Sequence, residues 1–293
     1  MAAVAPSVPS VTPAAAAEPN APASPPPEPK LVRGARRPSL TSHLYLFLYN
    51  CFATAAWGYV FFHFLRFCLE KSSLLAWSSS APALYRAIEG PLIVAQTMQA
   101  MEILHAVVGI VHSGVVTTFM QVFSRLQLVL FLFRYVPISY NTVAFFNLIG
   151  AWCLAELLRY PFFAAQELLQ CIYFAETKKA FGDEGALAAV KVKTEVPMVL
   201  RWLRYSGFTF LYPLGITSEV LCMLNGLSTL QLPLFAHYPV PMPNMLNFEV
   251  NLHFIYILIL LACIPGSFLL YNHMLQQRKK NLYGVGVEEK KTQ

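Results

Sequence analysis

Residues 201–223, RWLRYSGFTFLYPLGITSEVLCM, are the clearest indication of the fold class. This stretch carries three charged side chains among 23 residues and is otherwise dominated by apolar ones. A helix needs about 20 mainly apolar residues to cross a bilayer core of about 30 Å, so this stretch predicts a transmembrane helix. Only 12% of the 293-residue chain is charged and 56% is hydrophobic, whereas soluble domains carry about 25% charged residues. Much of the surface is therefore expected to face lipid.

Apolar stretches of similar length occur on both sides of it. Together they predict an all-α fold, a polytopic membrane helix bundle with six transmembrane helices, forming one domain over residues 41–283. Residues 1–40 are rich in Pro and Ala and have no apolar periodicity, which is typical of a disordered tail. The six predicted spans run roughly over 44–68, 92–112, 115–135, 142–169, 199–224 and 252–274.

Lysines and arginines predict the orientation of these spans. The loop 228–251 contains neither residue, whereas three other segments are basic. Six crossings place all three basic segments on one side, which is the cytosolic side by the positive-inside rule. Both termini are therefore expected in the cytosol, including the C-terminal tail 284–293. The basic residues are Lys30, Arg33, Arg36 and Arg37, then Lys178, Lys179, Lys191 and Lys193, then Arg278, Lys279, Lys280, Lys290 and Lys291.

The last four residues, KKTQ, contain Lys290 and Lys291. They resemble the dilysine signal that returns membrane proteins to the endoplasmic reticulum, and such a signal acts on a cytosolic tail. The alternative is a merely basic, solvated tail. Agreement with the predicted topology favours a multi-pass protein of the endoplasmic reticulum membrane.

Charged residues inside the spans are the candidates for function, because a charge at mid-bilayer is costly and usually faces the bundle interior. They are Glu102, Arg125, Glu156, Arg159, Arg204 and Glu219. Glu156 and Arg159 are neighbours on one helical face. For these two and Arg125, the plainer interpretation is that they pair and hold helices together. No aromatic-interleaved basic patch occurs, which argues against nucleic acid as a partner.

Two short motifs resemble a metal site and a phosphatase loop, but neither predicts that function here. Glu102 and His105 are three residues apart, but such pairs recur on a second helix in metal sites of bundles, and no second copy exists here. We therefore expect no metal. Cys153 and Arg159 have the spacing of a phosphatase loop, which wraps phosphate with free backbone N–H groups. Residues 154–158, between them, contain no glycine and lie in a predicted membrane helix, whose backbone N–H groups are already used in helical hydrogen bonds.

Within residues 201–223, Pro213 and Gly215 predict a helix that is kinked or unwound inside the membrane. Tyr212 and Glu219 flank this point seven residues apart, two turns along nearly the same face. A phenol and a carboxyl group converging on an internal cavity are suited to acid/base chemistry. The alternative is a hydrogen-bonded pair with a structural role.

At these residues the sequence resembles a known family. LYPLGITSE, residues 211–219, is similar to the signature of the 3-hydroxyacyl-CoA dehydratases, also called protein tyrosine phosphatase-like proteins. The resemblance covers about residues 43–283, and Pro161 is a departure from the family pattern within the fourth span. Supporting stretches, in the family's order, are EILHAVVGIV (102–111), QVFSR (121–125), AELLRYPFF (155–163), LRYSGFTF (203–210) and HMLQQRKK (273–280).

The resemblance implies an enzyme of the endoplasmic reticulum for the third step of very-long-chain fatty-acid elongation. Such an enzyme, a hydro-lyase, removes water from a (3R)-3-hydroxyacyl-CoA to give a trans-2-enoyl-CoA. Expected partners are this substrate, membrane lipid and the elongase, ketoacyl reductase and enoyl reductase of the cycle. No cofactor is expected, because the reaction involves no redox change. The alternative is a catalytically inactive paralogue acting as a membrane scaffold or trafficking partner.

The family's catalytic Tyr and Glu fall on Tyr212 and Glu219, which argues against an inactive paralogue. A carboxylate suits removal of the proton beside the thioester, and a phenol suits protonation of the departing hydroxyl. We assign Glu219 as base and Tyr212 as acid, an order that the sequence leaves open. The developing enolate needs a stabilising group, for which Arg159, Arg204 or a backbone N–H are unranked candidates. Candidates for binding the CoA phosphates are Arg201, Arg204, Lys191 and Lys193.

Overall fold

The computed structural model describes residues 39–70, 74–111, 113–189, 196–232, 238–239 and 249–283. It confirms an all-α bundle. The six helices are α1 Leu40–Glu70, α2 Leu74–Val108, α3 Val115–Gln127, α4 Val143–Ala189, α5 Met198–Leu227 and α6 Leu252–Tyr283. Helix α3 continues through a π-helical turn, Leu128–Leu132, and a last turn, Phe133–Tyr135.

Short elements connect these helices. Two 3₁₀ turns, Pro137–Ser139 and Thr229–Gln231, follow α3 and α5. In the described part of the chain, the strands are β1 Tyr238–Pro239 and β2 Glu249–Val250, which pair antiparallel. They leave the fold class unchanged.

Each of the six helical segments is long and apolar enough to cross a membrane, so the chain is a multi-pass membrane protein. Helix α4 is central, because it packs against α1, α2 and α5. Its contact with α5 is close at Gly207, where a Cβ atom would lie 2.6 Å from Leu158 Cδ1. Helix α6 is peripheral and turns large apolar side chains outward, including Leu261, Phe268 and Leu269.

Side-chain contacts establish the alternating direction of the helices. At one end of the bundle, His43 of α1 contacts Glu167 of α4 at 2.6 Å, and Tyr45 contacts His105 of α2 at 2.8 Å. At the other end, His253 Nδ1 lies 3.1 Å from the carbonyl oxygen of Leu227. The beginning of α1 and the end of α6 therefore lie at the same end. We call it the terminal end of the bundle.

The helix bounds differ from the predicted spans where hydropathy is a poor guide. Helix α2 begins at Leu74 instead of residue 92, and it contains Pro82 and Pro91. It also ends four residues before position 112, because Gly109 adopts a φ of +75° that terminates the helix. Helix α4 runs on to Ala189, since the polar residues after position 169 still favour helix once outside the apolar span.

The predicted unwinding of the fifth helix is wrong. Helix α5 is continuous through Pro213 and Gly215 from Met198 to Leu227. Pro213 removes one backbone donor, a loss that transmembrane helices tolerate when side chains or local adjustments satisfy the freed backbone groups. The predicted disordered tail 1–40 falls almost wholly outside the described residues, and the C-terminal tail 284–293 falls outside them entirely.

Candidate active site

A cavity of about 240 Å³ lies inside the bundle, between α2, α3, α4, α5 and α6. Both Tyr212 and Glu219 line it, together with the five other charged residues of the spans. Its polar wall consists of Gln99, Glu102, Thr118, Gln121, Ser124, Arg125, Glu156, Arg159, Arg204, Tyr212 and Glu219. Apolar side chains, among them Val122, Phe208, Leu211, Ile216, Leu270 and Met274, complete the lining.

Helical periodicity explains which residues reach the cavity. On α5 the lining positions include 204, 208, 212, 215 and 219, spaced by three or four residues, which is one helical face. On α4 they include Trp152, Glu156 and Arg159, at positions i, i+4 and i+7. Two regular helices thus present continuous stripes to one another. The seven-residue spacing of Tyr212 and Glu219 places both on the cavity side.

Tyr212 is held at the boundary between α5 and α6. Its hydroxyl donates to the backbone carbonyl of Ser267, 3.2 Å away. Its ring stacks on Tyr271 with a centroid separation of 5.8 Å and an interplanar angle of 20°. Because both contacts come from α6, the position of the phenol depends on how α6 packs against α5.

Glu219 is buried, with 7% of its surface exposed. The indole N–H of Trp152 donates to Glu219 Oε1 over 3.0 Å. Within the described part of the chain, no cation forms an ion pair with this carboxyl group. Its one hydrogen bond to another described residue therefore comes from α4 and engages a single oxygen.

Towards the terminal end, the cavity wall is an ionic network. Arg159 binds both oxygens of Glu102 at 2.7 Å and Glu156 Oε2 at 2.6 Å. Arg125 pairs with Glu156 Oε1, and Tyr160 donates to Glu102 at 2.6 Å. The predicted pairing of Arg125, Glu156 and Arg159 is confirmed, and it links α2, α3 and α4. The charges of the two arginines and the two carboxylates in this network cancel.

Arg204 differs from these arginines. Its guanidinium lies 5.6 Å from the ring centroid of Phe163 and 5.9 Å from that of Tyr205. Among the described residues, no carboxylate forms an ion pair with it, and its buried Nε has no hydrogen-bond partner. The cavity therefore contains one arginine whose charge no described acid neutralises.

The remaining predicted binding residues lie elsewhere. Arg201 is not among the described residues that line the cavity, and its Nη2 contacts the carbonyl of Val196 at 3.4 Å. Lys191 and Lys193 lie outside the described residues. Cys153 is buried within the continuous helix α4, so its spacing from Arg159 does not form a phosphate-binding loop.

The sequence did not indicate Trp152 and Tyr160, which contact Glu219 and Glu102. Gln99 lies on the same polar stripe of the second span as Glu102 and accepts from Arg125 at 3.3 Å. A signal existed for Trp152, which stands four residues before Glu156 and thus on the same face. The contact of Trp152 with Glu219 on α5 could not be predicted from the sequence of either helix alone.

The fold and site thus define a multi-pass membrane protein with an internal cavity that carries a phenol and a carboxyl group. The family model described as "Protein tyrosine phosphatase-like protein, PTPLA" matches residues 96–177 and 186–284. These ranges contain every cavity residue described above. The chain therefore belongs to the protein tyrosine phosphatase-like family.

Curated relatives agree with this assignment. Very-long-chain (3R)-3-hydroxyacyl-CoA dehydratase PASTICCINO 2A of Oryza sativa subsp. japonica is 35% identical over 83% of this chain and 95% of its own length. PASTICCINO 2 of Arabidopsis thaliana is 36% identical over the same shares. Dehydratase 2 of Mus musculus is 31% identical over 85% of each chain. No solved structure matches this chain. Dehydratases are hydro-lyases, so the predicted family and enzyme class are both confirmed.

Proposed function

We propose that this protein dehydrates very-long-chain (3R)-3-hydroxyacyl-CoA to trans-2-enoyl-CoA, the third step of fatty-acid elongation. The observation that carries the proposal is the shared cavity of Tyr212 and Glu219. It supplies one proton acceptor and one proton donor inside the bundle. The printed names of the relatives supply the substrate class.

The proposed reaction is a proton-balanced elimination. The carboxylate of Glu219 takes the proton from the carbon beside the thioester, and the electron pair of that C–H bond forms the new double bond. The bond to the 3-hydroxyl group breaks, and Tyr212 donates its phenolic proton so that water leaves. The proton on Glu219 then returns to the phenolate. Positioned acid and base groups contribute about 10² to 10⁴ in rate each.

A positive group near the thioester would stabilise the enolate that develops. Of the two candidate arginines, Arg159 already binds two carboxylates, whereas Arg204 has no described acidic partner. Arg204 therefore suits the negative charge of the substrate better, either at the thioester oxygen or at a phosphate of CoA.

The depth of the pair fits a CoA thioester that enters from the terminal end. Tyr212 lies 11 residues beyond Arg201, or roughly 16 Å at 1.5 Å per residue, and Glu219 lies seven residues deeper. The charged nucleotide stays at the bundle end and the pantetheine arm carries the thioester inward. Arg204 and the basic segment after α4, including Lys191 and Lys193, would then meet the phosphates. The acyl chain contacts the apolar wall and the surrounding lipid.

The cellular setting follows from the same proposal. We place the terminal end of the bundle on the cytosolic face of the endoplasmic reticulum, because the described basic residues after position 177 of α4 and after position 277 of α6 lie towards that end. The substrate would come from a ketoacyl reductase and the product would pass to an enoyl reductase, with an elongase beginning the cycle. Replacing Lys290 and Lys291 with Ser tests the compartment, because loss of a retrieval signal moves protein forward to the Golgi.

The direct test is an assay of the purified full-length protein in nanodiscs. We expect trans-2-enoyl-CoA to form from (3R)-3-hydroxyacyl-CoA with long acyl chains, as followed by liquid chromatography and mass spectrometry. The (3S) enantiomer is the matched control, and it should give little product. Absence of product from the (3R) substrate, with folded protein, would contradict the proposal.

A further inference from the structure

We propose that Trp152 is a positioning residue, whose indole N–H holds the carboxyl group of Glu219 in the orientation needed for proton abstraction. This inference rests on the function proposed above and adds a residue on a different helix. Trp152 belongs to α4, whereas Tyr212 and Glu219 both belong to α5. The catalytic geometry would then depend on the packing of α4 against α5.

The contact itself is specific. Trp152 and Glu219 are 4% and 7% exposed, and Trp152 Nε1 lies 3.0 Å from Glu219 Oε1. An indole N–H has no acceptor capacity, so it can only donate. Because no other described residue forms a hydrogen bond with this carboxyl group, Trp152 restrains one oxygen, Oε1, and leaves Oε2 for the substrate proton.

The indole is itself held in place. The guanidinium of Arg125 lies 4.8 Å from the ring centroid of Trp152, and Arg125 is fixed by Glu156. Arg125 also lies 5.6 Å from the ring centroid of Trp57 on α1. Both indoles therefore contact the same cation. A restrained donor needs little reorganisation when the substrate arrives, which is the requirement for a positioning group.

Trp57 provides a matched control within the same chain. It is fully buried and contacts Arg125 as Trp152 does, but its Nε1 has no hydrogen-bond partner in the described structure. Replacing either Trp with Phe keeps an aromatic ring beside Arg125 and removes one N–H group. Only the change at position 152 removes a hydrogen bond to Glu219. A purely structural role predicts similar effects at the two positions.

The experiment compares kcat and KM of Trp152→Phe and Trp57→Phe with those of the wild type, all in nanodiscs with (3R)-3-hydroxyacyl-CoA. Loss of a hydrogen bond to a charged group predicts that Trp152→Phe lowers kcat about 10- to 100-fold. KM should change little, because the indole acts on the base and not on substrate binding. Trp57→Phe should keep kcat within about threefold of the wild type. This change alters the packing around position 57 but removes no hydrogen bond, because Trp57 Nε1 has no acceptor in the described structure.

A second variant separates the hydrogen bond from ring size. Incorporation of benzothienylalanine at position 152 keeps the bicyclic shape and replaces N–H with sulfur. We expect the same loss of kcat as for Trp152→Phe, with the thermal unfolding temperature near that of the wild type. This variant also decides the matter if the Phe variant fails to fold.

The outcomes distinguish this inference from the proposed function. An active wild type, an inactive Glu219→Gln variant and a benzothienylalanine variant with wild-type kcat would overturn the role of Trp152 alone. Equal losses of kcat in Trp152→Phe and Trp57→Phe, with the benzothienylalanine variant fully active, would also overturn it and assign the effect to packing. A wild type without dehydratase activity would overturn both proposals.

Discussion

Arg159 binds Glu102 through two parallel hydrogen bonds of 2.7 Å each, and this pair joins α4 to α2 beside the cavity. Both side chains are only about one-fifth exposed, at 22% and 20%. Paired arginine–carboxylate geometry of this kind is both stronger and more directional than a single contact. The network therefore fixes the cavity wall before any substrate binds.

Glu102→Gln should destabilise the protein, because it removes the charge from a partly buried pair while keeping the shape of the side chain. Because hydrogen bonds to a charged group are lost, we expect the free energy of unfolding to fall by about 1.5 to 3 kcal/mol. For a protein of this size, this corresponds to a decrease of roughly 3 to 12 °C in Tm. Thermal unfolding in detergent, followed with a thiol-reactive dye, measures the change.

The control for this prediction is Glu70→Gln. Glu70 also pairs with an arginine, Arg66, at 2.9 Å, but these side chains are 53% and 66% exposed. Exposed pairs of this type contribute little, so Tm should stay near the wild-type value. Equal Tm values for the two variants would show that the Arg159–Glu102 pair does not stabilise the bundle.

Hydropathy and charge placement were sufficient to predict the architecture. All six spans and the pairing of Glu156 with Arg159 could be inferred, because each depends on residues close together in the sequence. The contact between Trp152 and Glu219 could not be inferred from the sequence, because the two residues are 67 positions apart. It depends on the relative rotation of α4 and α5, which neither helix specifies alone.

The fifth helix shows a second limit of the sequence. Pro213 and Gly215 favour a break on local propensity, yet α5 stays helical through both. Gly215 is buried and faces α4, where a Cβ atom would lie 3.9 Å from that of Ala151. Tyr212 and Glu219 share the cavity because the intervening helix is continuous.

The proposed orientation predicts the pattern of protease protection in microsomes. The loop 228–251, which has no Lys or Arg, should be shielded in the lumen, and both tails should be cleaved from outside. Epitope tags placed at the two tails and in this loop report the result, with detergent-permeabilised microsomes as the control. A shielded C-terminal tag would contradict the cytosolic placement of the terminal end.

Lys191 and Lys193 should act on binding and not on chemistry. Replacing both with Ala should raise KM for the CoA substrate and leave kcat close to that of the wild type. The effect should shrink as ionic strength rises, because salt screens charges over about 8 Å at 0.15 M. Lys279→Ala with Lys280→Ala, another basic pair, is the control. A KM unchanged at low salt would remove these lysines from the proposed path of CoA.

Tyr212 and Glu219 together carry out the proposed dehydration. Tyr212→Phe and Glu219→Gln keep the shapes of the side chains and remove the acid and the base. The most direct measurement is kcat of each variant, in folded and membrane-inserted protein, with (3R)-3-hydroxyacyl-CoA. We expect each kcat to fall at least about 100-fold with a much smaller change in KM. Turnover near the wild-type rate in both variants would contradict it and would favour a scaffold role for the bundle.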